Sequence, residues 1–358
     1  MEVATRRIGL LVIALLTAVG CRSSIGVKTV PRDQFDYAEA MRDAAKEQML
    51  LNLVGLRYAE APMFLKVTSV ISNYTFEGGV AAAAPGYEQQ SVVSAPLQIS
   101  GKYSDRPTIT YLPLSGAEFT RSVLTPIPPQ SIMSLIQAGW RVDTLFRLTV
   151  RAINGVGHGG VGGTSGGDEQ YYELVSLLGQ IQEAGGLSFR VEKQGEKDVA
   201  ILRIGVEENQ QQRQLQVRVR EILGLDPTVG EYRLVFGRQA SAPDEIAMLT
   251  RSILEMLADL AQWVDVPPEY VASGRVMTRS STTMMEKYGF EPMIAVHSST
   301  ERPHDAFVAV RYEDVWYWID HDDFSSKKTL GFMQLMFSLA ESSGGGQKEP
   351  VVTVQAGG

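Results

Sequence analysis

The chain has one cysteine, Cys21, among 358 residues. No disulfide can form within a single copy, and no CxxC redox or zinc motif is possible. Basic residues are also scarce: 33 Lys and Arg stand against 41 Asp and Glu, for a net charge of −8. That balance argues against a nucleic-acid partner, because such affinity rests on Lys and Arg neutralising phosphates. It argues equally against electrostatic adhesion to anionic lipid. Past residue 20 no apolar run approaches the ~20 residues of a membrane-spanning helix. There is no Walker A string, no HExxH and no GxSxG elbow, which removes the commonest signatures of nucleotide, zinc-protease and serine-hydrolase sites. No repeat of about 20 to 50 residues occurs, so a solenoid or propeller is not expected.

What is present begins at the N-terminus. Arg6 and Arg7 precede an apolar run from Ile8 to Leu16, followed by Thr17-Ala18-Val19-Gly20-Cys21. A charged start, a short apolar core and small residues before a cut describe a secretory signal over residues 1–20. The ending resembles a lipobox, at which bacteria attach lipid to the cysteine and cleave before it. The motif prefers Leu where this chain has Ala18. Cys21 is the expected lipidation site, and residues 21–31 read as a polar tether ending at Pro31.

The remainder divides, on composition, at a glycine-rich segment over 155–168 (GVGHGGVGGTSGGD). A domain at 32–154 and a second at 169–358 are expected. A helix is expected from Asp36 to Tyr58, with Met41, Ala45, Met49, Leu53 and Leu56 as its buried stripe. Extended stretches at 63–76, 91–103 and 108–112 suggest an antiparallel hairpin with an added strand. Residues 115–154 read as helical, broken at Thr125-Pro126-Ile127-Pro128-Pro129, with Ser115 and Glu118 matching a capping box.

Beyond the glycines, helices are expected at 169–184, 208–223, 243–264 and 326–340. Strands are expected at 187–193, 198–206, 231–237, 293–299, 305–311, 315–320 and 351–354. This mixture is an α+β fold.

Candidate chemistry is sparse. Gly157, Gly159 and Gly162 satisfy a GxGxxG string, but the helix that should open at the third glycine starts only near Asp168. A flexible loop is the better reading, with His158 idle inside it. No cofactor is expected. His297, His304, Asp320 and His321 fall at one end of the last three strands, where imidazoles and carboxylates serve as acid/base groups or metal ligands. Trp316 and Trp318 share one face of their strand and are expected in the core. The hairpin at 63–103 carries few charges, and its extended stretches are near the length of a tilted spanning strand. By analogy with the curli secretion lipoprotein pore, hairpins from several copies could close into one barrel. In water the same hairpin would need to pack on the first helix.

Several strings, including LLNLVGLRY at 50–58, RPTITYLPL at 106–114, TPIPP at 125–129 and AFVAVRYEDVWYWIDHDDFSSK at 306–327, are similar to those of a set of uncharacterised bacterial lipoproteins. The resemblance spans most of the chain and implies an outer-membrane location, with the membrane reached through the lipid. Arg22 after Cys21, rather than Asp, agrees with that location. Three roles are expected: a non-enzymatic scaffold binding an envelope partner, a ring-forming export component that self-assembles through the hairpin, or a hydrolase at the histidine cluster.

Overall fold

The computed structural model describes residues 25–71, 74–82, 97–105, 108–158, 168–194, 197–205 and 210–342. Cys21, the leader, Gly159, Gly162 and the strand expected at 351–354 lie outside them. The fold is α+β.

Helix α1 (Ile25–Arg57) is longer than expected and incorporates the supposed tether from Ile25 onward. It runs through Pro31, which lacks an amide proton and so forgoes one hydrogen bond near the start of the helix. Only the C-terminal part of its apolar stripe is buried. Met49, Leu50, Leu53 and Val54 are in the core, whereas Met41 and Ala45 are exposed.

Strands β1 (Leu65–Ile71), β2 (Tyr74–Ala82), β3 (Leu97–Asp105) and β4 (Thr108–Pro113) follow. β1 pairs with β4 and β2 with β3, both antiparallel.

Next come α2 (Gly116–Phe119), a π-turn at Thr120–Leu124, α3 (Pro129–Gln137) and α4 (Val142–Thr149). Ser115 caps α2 by position but makes no side-chain cap bond, so the expected capping box does not form there.

β5 (Val150–Ile153), β6 (Val156–Gly157), α5 (Glu169–Glu183), β7 (Leu187–Gln194), β8 (Lys197–Ile204) and α6 (Gln210–Leu223) then alternate. Gly224, with φ of +63°, ends α6 in the left-handed conformation that glycine adopts most easily.

β9 (Glu231–Phe236) and β10 (Glu245–Thr250) lead to α7 (Ile253–Ala261). A single helix over 243–264 is therefore corrected. Ile246 and Met248 are buried on a strand, and the helix starts at Ser252. The Ser252 hydroxyl accepts from the Glu255 amide at 3.2 Å, and the Glu255 carboxylate accepts from the Ser252 amide at 3.0 Å. That reciprocal pair is the true capping box.

Short helices α8 (Pro268–Ala272) and α9 (Thr283–Lys287), strands β11 (His297–Ser299), β12 (Ala306–Tyr312) and β13 (Val315–Asp320), and helix α10 (Phe324–Ser342) complete the described chain.

Two compact units emerge. One holds the described parts of 25–42 and 65–113; the other holds 43–64 and the described parts of 114–342. The second contains a six-stranded sheet in the order β6-β5-β10-β9-β8-β7, parallel only between β9 and β10. β5 lies before residue 155 and its partner β10 lies far after it. The sheet thus joins strands from both sides of the 155–168 segment.

Candidate functional site

The first unit carries an unusual surface. In β1–β4, paired residues number 178 in sum up to Val67–Tyr111 and 179 from Ser69–Thr110 onward. The β2–β3 pairs keep that sum of 179, from Tyr74–Asp105 to Ala82–Leu97. The two described ladders, together called the ribbon below, are antiparallel and share that register sum, with a bulge between Val67 and Ser69.

Alternate positions of a strand share a face. On one face of the ribbon stand Leu65, Val67, Val70, Tyr74, Phe76, Gly78, Val80 and Ala82. The partner strand adds Leu97, Ile99, Gly101, Tyr103, Asp105, Ile109 and Tyr111 to that face. The opposite face holds Lys66, Ser69, Thr75, Glu77, Gln98, Ser100, Lys102, Ser104, Thr108 and Thr110, with Ile71 and Leu112 as its large apolar members. One side is thus almost wholly apolar and the other mostly polar. β4 is exposed along its whole length, including Ile109 and Tyr111 of the apolar face.

Each ladder is two-stranded, so among the described residues every ribbon strand keeps one edge without a neighbour. Of the expected stretches, 108–112 pairs with the first part of 63–76 as β1–β4, and the described part of 91–103, from Leu97, pairs with 74–82 as β2–β3; residues 91–96 lie outside the described residues. No described helix is long and apolar enough to cross a membrane.

The histidine cluster is only partly assembled. β11 lies beside β13, which places His297 opposite Trp318. His297 Nε2 is 3.1 Å from Asp320 Oδ2, and Asp320 Oδ1 accepts from Trp318 Nε1 at 2.8 Å. On the other side of the ring, Nδ1 is 3.9 Å from Asp265 Oδ2. Asp265 is held in turn by Arg279 at 2.9 Å. The arrangement can orient an imidazole between two carboxylates.

His304 and His321 are exposed, and neither is brought into hydrogen-bond contact with this pair among the described residues. The backbone carbonyl of His321 instead accepts from Lys327 Nζ. No group of three or more His, Cys, Asp and Glu suited to a metal ion occurs among the described residues. Trp316 and Trp318 are half-buried, and the core position between them belongs to Tyr317. Its hydroxyl meets that of Tyr58 at 2.6 Å.

Sequence reasoning missed His158. It is half-buried and engaged rather than idle: Arg251 Nη2 donates to its Nδ1 at 2.5 Å, and Arg251 is paired with Asp259 at 2.9 Å. The ring sits 5.1 Å from that of Tyr171 and 5.5 Å from that of Tyr172. Burial, then the neighbouring Arg251 charge, lower its pKa from 6.5 to about 3. Nothing near residue 158 signals this. The one hint is Arg251 itself, a lone cation in the apolar run MLTRSILEML at 248–257.

Comparison with family models, curated proteins and solved structures finds no match.

Proposed function

We propose that this chain is a non-enzymatic component of the bacterial envelope, anchored at the outer membrane by lipid on Cys21 and assembled with copies of itself through the β-ribbon. The observation that carries the reading is the ribbon's single apolar face combined with its two open edges. Open strand edges are costly in an isolated protein and are normally covered or paired. In lipid they must be satisfied, which strands achieve only in a closed barrel. β2 and β3 have nine residues each. At ~3.3 Å per residue they reach about 30 Å, the thickness of a hydrocarbon core. Two strands per copy give the even strand count common in outer-membrane barrels.

The test is the mass of the detergent-extracted, lipidated protein by light scattering, with negative-stain images. Closed rings are the expected result. Ile99→Lys, on the apolar face, abolishes them, because a lysine facing lipid near the midplane costs about 2–4 kcal/mol. Ser100→Lys, one position along on the polar face, leaves them intact. A monomer in detergent, or equal tolerance of the two lysines, overturns the proposal.

A hydrolase at His297 and Asp320 is the second reading, favoured by their 3.1 Å contact. It requires a hydrolytic activity that alanine at either residue removes while assembly persists.

A further inference from the structure

The second unit contains a cavity of about 260 Å³ between α4, the segment 289–293 and α10. Its walls are aromatic: Trp140, Phe290 and Phe332, with the Trp140 and Phe332 rings 5.0 Å apart. Three charged residues line it as well, the cations Arg147 and Lys328 and the single acid Glu291. The Arg147 guanidinium lies 4.6 Å from the Phe290 ring centroid, and Lys328 Nζ lies 5.3 Å from the Trp140 ring. Neither has a carboxylate within 4.0 Å among the described residues; the ion pairs in this unit form around other cations.

Arg147 donates from Nη2 to the Glu291 carbonyl at 2.5 Å. That neutral acceptor takes one of the five guanidinium donors and does nothing to balance the charge. Burial lowers the Arg147 pKa, a mark of a cation stripped of water.

A partly buried cation with no carboxylate in ion-pair contact, set in an aromatic cavity, is complementary to an anion with an apolar body. Guanidinium and ammonium groups bind carboxylate or phosphate oxygens. Aromatic walls bind a flat hydrocarbon and exclude water around the charge. Thr144 and Ser325 add hydroxyls to the lining. We infer that this cavity is a binding site for a small amphiphilic anion, its acidic group on Arg147 and Lys328 and its planar apolar part between Trp140, Phe290 and Phe332. The volume sits just below the usual ~300–1,000 Å³ of ligand pockets, which restricts the ligand to fragment size. This inference does not depend on the ribbon reading.

The test is isothermal titration of the full chain with naphthoate, naphthylmethylamine and naphthalenemethanol. These probes share one aromatic body and differ in charge. Naphthoate is expected to bind saturably, the alcohol at least ten-fold more weakly, and the amine not at all. Arg147→Met and Lys328→Met each weaken naphthoate ten-fold or more. Lys328 is exposed, so its variant folds even if Arg147→Met does not. Equal binding of the acid and the amine overturns the inference. So does naphthoate binding that Lys328→Met leaves unchanged, or no naphthoate binding at all.

Discussion

Acid should destabilise the second unit through one residue, His158. Its neutral ring accepts from Arg251 inside the protein, and burial beside that cation lowers its pKa from 6.5 to about 3. At neutral pH the group is mostly uncharged whether the chain is folded or not. As pH falls below 6.5 the unfolded chain takes up a proton that the folded chain refuses. Stability therefore drops with acidity, by about 1.36 kcal/mol per pH unit for one proton. At pH 4.5 the loss is about 2.7 kcal/mol, and it continues to grow until pH approaches the folded-state value.

The informative variant is His158→Gln, whose amide oxygen can still accept from Arg251 but cannot titrate. Urea unfolding of both proteins at pH 7 and pH 4.5 isolates the effect, because every carboxylate titrates alike in the two chains. The wild type is expected to lose about 2–3 kcal/mol more than the variant over that interval. Parallel losses would refute the account and place His158 in water.

Two further substitutions test the packing that holds this unit together. Ser252→Ala removes the side chain that caps α7 and should cost about 1 kcal/mol in chemical denaturation; Ser252→Gly should cost less. Tyr171→Phe removes a buried hydroxyl that donates to the carbonyls of Phe146 and Val150 at 2.8 and 3.0 Å. The orphaned carbonyls should lower stability by about 1–3 kcal/mol, with little change in the circular dichroism of the folded protein.

Local patterns carried much of the fold. The helices at 169–184 and 208–223 and the paired strands at 187–193 and 198–206 were readable because their caps, turns and apolar spacing agree with one another. Residues 243–264 misled because β10 and α7 place apolar residues at intervals that also suit one long helix. Tertiary pairing decides the matter, since β10 lies between β9 and β5 inside the sheet. The ribbon was visible only as separate extended stretches, for its face emerges once the register is known.

The sites divide the same way. His297 and Asp320 are close on adjacent strands, so a topology sufficed to bring them together. His158 and Arg251 are 93 positions apart. Arg147 and Lys328 belong to different helices around one cavity. No short-range pattern in the sequence relates such pairs.

The bulge at Val67–Ser69 has a consequence for how the ribbon can change. Up to it, the apolar residues of the outgoing strand occupy odd positions; beyond it, they occupy even ones. The returning strand has no such switch, so the bulge is a phase correction that keeps both strands in step. Deleting Thr68 would remove the extra residue and leave both faces unchanged, whereas flattening the bulge with Thr68 kept would turn Leu65 and Val67 toward the polar side and bring Lys66 to the apolar one. The ribbon can therefore lose the residue at this bulge without exchanging its faces, while a single residue added elsewhere keeps a face dry only by forming a second bulge of its own.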